Sequence, residues 1–239
     1  MKDYTKGPQN TSQSQQSVGV GYDAGLRNHM IKVYNHMAVG LGISGAISAA
    51  VMSSPEIAKV VASLNIIWFI GVLAMAFLVI PKMMRMSENG ARMSFYAYAV
   101  LLGLAISPIF LQYTGESVAR AFFLSAATFL SFSIYGYTTK RDLTSVGTFA
   151  IIGVWGVFFA SIINIFLGSN QLMFITSIIA VVASIGLTAY DTQKIKQVYF
   201  QVAHDTNMVS KAAILGALQL YFDFVYMFIN LLQILGNRR

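Results

Sequence analysis

The chain has 239 residues, of which 56% are hydrophobic and only 10% charged, and it carries a net charge of +7. A soluble domain has about 25% charged residues, and here no charged residue occurs between Asp142 and Asp191, so composition excludes an ordinary soluble domain and indicates a polytopic, all-α membrane protein. The positive residues sit in gaps between apolar runs, as membrane topology requires, so no nucleic-acid partner is expected. Cysteine is absent, which removes disulfides, thiol catalysis and thiolate metal sites.

Residues 1–27 are polar and low in complexity, with the run QNTSQSQQS. Too little apolar surface is present to offset ordering entropy, so a disordered cytoplasmic tail is expected there, followed by a transmembrane domain over 28–239. Apolar runs predict seven spans at about 31–52, 59–80, 93–113, 118–138, 147–167, 170–190 and 213–235, each near the ~20 residues a bilayer core requires. Pro55 and Pro81 are expected in loops or at span ends, and Pro108 inside the third span, where it should kink the helix. Gly42, Ala46 and Ala50 place small residues four apart on the first span, which favours close helix contact. Of the 16 Lys and Arg, 12 fall on the side of the amino terminus, and Lys59, Arg120, Arg238 and Arg239 on the other. The amino terminus is therefore expected in the cytoplasm. Arg238 and Arg239 would then end outside, against that rule: either late charges matter little here, or the last helix stops short of a full crossing.

The sixth span ends in IGLTAYDTQKIK, where Ser177, Ser184, Thr188 and Asp191 are spaced 7, 4 and 3 and share one face. From Ala212 to Asn237 the last span holds one formal charge, Asp223. A lone carboxylate in a membrane-length run costs roughly 2.5–3.5 kcal/mol on insertion scales and by default marks a functional site. Gln219, Asp223, Tyr226, Asn230 and Gln233 are spaced 4, 3, 4 and 3, within an arc of roughly 80°. That polar stripe should face helices or water rather than lipid; as packing glue it would hydrogen-bond neighbouring helices. The sixth and seventh helices run antiparallel, joined by a polar segment of about 20 residues, so facing stripes would bring Asp191 and Asp223 together. Two carboxylates in contact at low dielectric share a proton. Such a pair is a latch: protonated it holds, deprotonated it repels and attracts a cation, loosely, since calcium takes about 6–8 oxygens. Hydropathy places Asp191 near the cytoplasmic surface and Asp223 up to ~15 Å deeper, so the pair requires one of the helices to sit off its apolar edge.

AYDTQKIK around Asp191 and LQLYFDFVYMFINLLQILG around Asp223, with GLAISPIF around Pro108 and NIF at Asn164–Phe166, resemble the bacterial branch of the Bax inhibitor-1 family. The resemblance runs from the first span to the carboxyl end. It implies six helices in two layers around a central seventh, and a pH-sensitive calcium leak in the inner membrane whose proton-sharing pair is Asp191 and Asp223. It also implies a supporting arginine at the cytoplasmic end of the second helix, for which Arg85 is the nearest match and Arg92 another register. The carboxylate that some members carry within the second helix has no counterpart between Glu56 and Glu88.

Enzyme readings are weaker. GISG at Gly42–Gly45 matches a short serine-protease motif of membranes, yet the histidines are only His29, His36 and His204, and a serine nucleophile requires a base. No HExxH or glycine-rich phosphate loop is present. The expectation is thus a non-enzymatic cation leak without a resident cofactor or tight metal site, calcium and protons being the ions handled. The rival expectation is a non-conducting regulator that binds a membrane protease or stress-response partner, through the tail and the apolar surface.

Overall fold

A computed structural model describes residues 11–237, with side chains from Ala24 onward. Its α-helices are α1 Thr11–Met52, α2 Pro55–Ser63, α3 Asn65–Ala74, α4 Glu88–Leu111, α5 Gly115–Thr138, α6 Thr144–Leu167, α7 Asn170–Val202 and α8 Thr206–Leu235, with no strand among the described residues. Seven of these are long and apolar enough to cross a membrane: Ala24–Met52 of α1, α3 with its continuation to Arg85, and α4 to α8.

The boundaries depart from the apolar edges for local reasons. The stretch 11–27, expected as a disordered tail, continues the first helix; no proline interrupts it, and extending an existing helix avoids the cost of nucleation. Residues 1–10 of that expected tail lie outside the described residues. The second span begins at Asn65 rather than near Lys59, because Ser54 caps a separate short helix with Pro55 in its first turn. Pro81 lies at the end of the span, as expected, though the helix runs on to Arg85: a π turn at Met75–Val79 and a 3-10 segment at Ile80–Arg85 carry the backbone past a residue that cannot donate to the ladder. In α4, Pro108 deprives Leu104 of its usual partner four residues on, and Ser107 Oγ donates to that carbonyl at 2.8 Å.

The last helix is central. Its most apolar window is 72% buried, against 11% for the spans of α3 and α6, and it packs against α1, α4, α5 and α7. α3 and α6 lie outside, on α4 and α7, and present Ile66, Phe149 and Phe166 outward, as lipid-facing helices do. α8 runs the full height of the bundle. Lys211 Nζ donates to Met84 O beside the end of the second span. At the opposite end Thr114 N donates to Asn237 O and Asn237 N donates to Ser117 Oγ, tying the chain end to the α4–α5 turn. Arg238 and Arg239 lie outside the described residues.

Close backbone approaches set the spacing. Gly42, Ala46 and Ala50 face outward, and a Cβ added at Gly42 would meet nothing within 4 Å. The tight face of α1 is instead Gly40, Ser44 and Ser48. A Cβ at Gly103 of α4 would stand 2.9 Å from Ser44 O, and Ser48 Oγ donates to Gly103 O at 2.9 Å. Ser44 Oγ donates to Ala99 O at 2.8 Å and lies 2.6 Å from Tyr221 OH, so the GISG serine is a packing hydroxyl.

Candidate functional site: a buried carboxyl pair

The expected polar segment of about 20 residues between the sixth and seventh spans is almost wholly helical. α7 runs on to Val202 and α8 begins at Thr206, with Asp205 Oδ1 accepting from Asn207 N and Met208 N as the cap. Asp191 therefore lies eleven residues inside its helix rather than at its edge. Two side-chain bonds fix the antiparallel register. Ser177 Oγ donates to Gln233 Oε1 at 2.8 Å, and Gln219 Nε2 donates to Asp191 Oδ1 at 2.8 Å. Fourteen residues forward on α7, from Ser177 to Asp191, match fourteen back on α8, from Gln233 to Gln219, so the two helices stay in step over about 21 Å.

One turn beyond Gln219, Asp223 reaches the same place from α8. Asp191 and Asp223 are each only 5% exposed, and their side chains are close enough to interact directly. No donor reaches Asp223 Oδ2 among the described residues. Of the remaining stripe, Ser184 Oγ and Thr188 Oγ1 turn back to Val181 O and Ser184 O within α7. Asn230 Nδ2 donates to Tyr226 O, whereas Tyr226 OH is buried without a partner among the described residues. Tyr226 lies between two cavities. One, of about 340 Å³, reaches Asp223 from between α4 and the α6–α7 pair. The other, of about 380 Å³, lies towards the far end beside Asn164, Asn230 and Gln233.

Arg85 does not join the pair. It is exposed, and no hydrogen bond or ion pair links it to either carboxyl among the described residues. Arg92 is engaged with Asn89 of its own helix. The cation that acts on Asp191 is Lys194, one turn further along α7, which also lies 5.7 Å from the Tyr190 ring centroid. Among the described residues no group of three or more His, Cys, Asp or Glu could hold a metal, so a cation here would meet two carboxylates and neutral oxygens.

Two features around the pair were not singled out in the sequence. Thr192 Oγ1, next to Asp191, lies 2.9 Å from Ser133 Oγ, which lies 2.7 Å from Tyr34 OH, a hydroxyl chain from α7 through α5 to α1. Ser125, Phe129 and Ser133, four apart on α5, were the available signal. Gln193 accepts from Leu143 N and donates to Arg141 O, closing the α5–α6 turn against α7; nothing in the sequence distinguishes it from the solvated residues around it.

The family described as inhibitor of apoptosis-promoting Bax1 matches residues 26–239, which includes every residue of this site. The chain belongs to this Bax inhibitor family. A Rickettsia prowazekii protein, RP147, is 39% identical over 241 residues, covering all of both chains. Inner membrane protein YbhL of Escherichia coli strain K12 is 38% identical over 221 residues, 90% of this chain and 94% of that one. A Streptococcus pyogenes membrane protein, SpyM3_0260, is 33% identical over 219 residues, 90% of this chain and 95% of that one. These likenesses agree with the seven apolar spans in making the chain a membrane protein.

Proposed function

We propose that the protein is a proton-controlled cation leak of a bacterial inner membrane, with calcium as the transported ion and Asp191 and Asp223 as its latch. One observation supports the reading above all. Two carboxyls from different helices, both buried, are in contact inside the bundle. At low dielectric two carboxyls so placed hold one proton between them. With the proton, a hydrogen bond ties α7 to α8; without it, like charges drive the helices apart and an acidic site faces the cation. Oxygen ligands favour a hard ion such as calcium, and two carboxylates fall short of the 6–8 oxygens of a storage site, which suits passage. Tyr226, Asn230 and Gln233 continue the polar route along α8 to the far cavity. The excess of Lys and Arg on the side of the α1 amino-terminal end supports a cytoplasmic position for that end.

The test is calcium flux into liposomes that contain the purified protein and a trapped calcium dye, across a pH series. Flux should rise with pH and lose its pH response in Asp223→Asn, with Asp191→Asn as the companion variant. Absence of flux at every pH, or an unchanged pH profile in both folded variants, refutes the reading. Absence of flux together with partner binding that requires residues 1–27 would favour the membrane regulator instead.

A further inference from the structure

The cavity that reaches Asp223 has the wrong walls for a bare inorganic ion. Tyr98 and Leu102 come from α4, Val154 from α6, Leu187 from α7 and Phe222 from α8. Asp223 is the one formal charge among them, and no donor reaches its buried Oδ2 among the described residues. Tyr226 OH, on the same wall, is likewise buried and unpartnered among the described residues. The Tyr98 and Phe222 rings meet edge to face, 5.0 Å between centroids. A hydrated metal ion entering here would exchange its water for hydrocarbon, whereas calcium requires about 6–8 oxygens. An organic ammonium asks for the opposite. It offers N–H donors to a carboxylate and a phenol, welcomes aromatic faces, and has an apolar body to bury. The volume, about 340 Å³, falls in the ~300–1,000 Å³ range of small-molecule sites. Because the cavity sits at membrane depth between spanning helices, a ligand reaches it by partitioning from the bilayer.

We propose that this cavity is a binding site for lipophilic organic cations of the arylalkylammonium class, with the ammonium on Asp223 and the aryl group among Tyr98, Leu102 and Phe222. From the cavity the ammonium donates to the Asp223 carboxylate, whose charge the other walls leave uncompensated. It thereby competes with the proton shared with Asp191 and with any cation drawn to the pair. Binding stands on the cavity itself; the consequence, block of flux, rests on the leak proposed above.

The experiment uses the full chain in nanodiscs and equilibrium dialysis of 4-phenylbutylammonium, with empty nanodiscs subtracted. Saturable binding at one site per chain is expected. It should weaken by about tenfold or more in Asp223→Asn and in Leu102→Trp, which fills the cavity without touching the charge. The neutral isostere 4-phenylbutan-1-ol should not saturate. Each variant is first checked for a single monodisperse peak and a retained unfolding transition, so that loss of binding in folded Leu102→Trp decides the matter if Asp223→Asn fails to fold. Equal binding in both folded variants, saturable binding of the alcohol, or no saturable binding of the amine overturns the proposal. The same amine added to the dye-loaded liposomes separates the two readings. Binding without flux at any pH keeps the site and removes the leak, and flux without amine binding does the reverse.

Discussion

The tightest test of the helix packing around the pair is Gly136→Ala, read against Gly42→Ala. Gly136 lies on α5 where that helix crosses α7 two residues before Asp191. A methyl there would stand 2.9 Å from both the carbonyl carbon and the Cα of Ala189, and nearer still to the oxygen. Ordinary contact begins at 3.4 Å, and the nearest atom, the carbonyl oxygen, sets the shift, so α7 must retreat by about an ångström or more, and the obstacle is backbone that cannot swing aside. Overpacking of this kind costs about 1–3 kcal/mol. The same substitution also gains about 0.8–1 kcal/mol of helix propensity, and Gly42, with nothing within 4 Å of its added Cβ, isolates that gain. The two variants should therefore differ by about 1–3 kcal/mol, with Gly42→Ala the more stable. At about 2–4 °C per kcal/mol for a chain of this size, the thermal midpoints of detergent-purified protein should separate by several degrees. If Gly136→Ala raises the midpoint as much as Gly42→Ala does, α5 and α7 do not touch through backbone here, and the placement of Asp191 falls with that contact.

Gln219→Leu removes the donor to Asp191 Oδ1 and should cost about 1.5–3 kcal/mol, the range for a hydrogen bond to a charged group, in an SDS-unfolding titration; an unchanged titration would mean that the α7–α8 register is not held there. Ser44→Ala strips the fully buried Tyr221 of its 2.6 Å partner and should cost about 1–3 kcal/mol by the same measurement. Outside the spans, Asp142 Oδ1 accepts from Thr144 Oγ1 and Thr144 N at the start of α6, and those bonds hold its carboxyl below the ordinary value. A depressed folded-state value means that the stabilisation is complete above the unfolded value of about 3.9 and is lost as pH falls through the folded one. Protection of the Thr144 amide from exchange should thus hold from neutral pH to about pH 5 and decline only below about pH 4. Asp142→Asn should abolish that decline, and a decline that persists in the variant would assign it to another group.

What was legible in the sequence, and what was not, divides along one physical line. Hydropathy reports the solvent each residue prefers, so it found the seven spans and the striped last helix. It does not report where a helix stops when helix continues into polar sequence. The apolar run starts earlier than the second span because Lys59 to Ser63 belong to a short amphipathic helix, α2, whose apolar residues extend it. Spacing alone gives a face without a direction: Gly42, Ala46 and Ala50 face outward, whereas Gly40, Ser44 and Ser48, with the same spacing, turn inward, where Ser44 and Ser48 meet Gly103.

The same distinction explains the pair. By apolar edges Asp191 belonged at a surface and Asp223 well inside, and only an offset between helices could bring them together. The offset arises because α7 does not end with its apolar run. Its next turns, DTQKIKQVYFQV, carry lysines whose charges sit at the rim of a continuing helix: Lys194 is exposed and Lys196 donates to Tyr137 O at 3.0 Å, while Ile195 and Tyr199 stay buried. Long amine stems allow that, since a lysine can bury methylenes and keep its charge at the rim. Burial of Ile195 and Tyr199, four apart on the inner face, holds Asp191 below the rim, where Gln219 and Asp223 can reach it from α8. Polar composition thus concealed an apolar inner face with helical period, and that face, more than the hydrophobic run before it, sets the depth of the carboxyl pair.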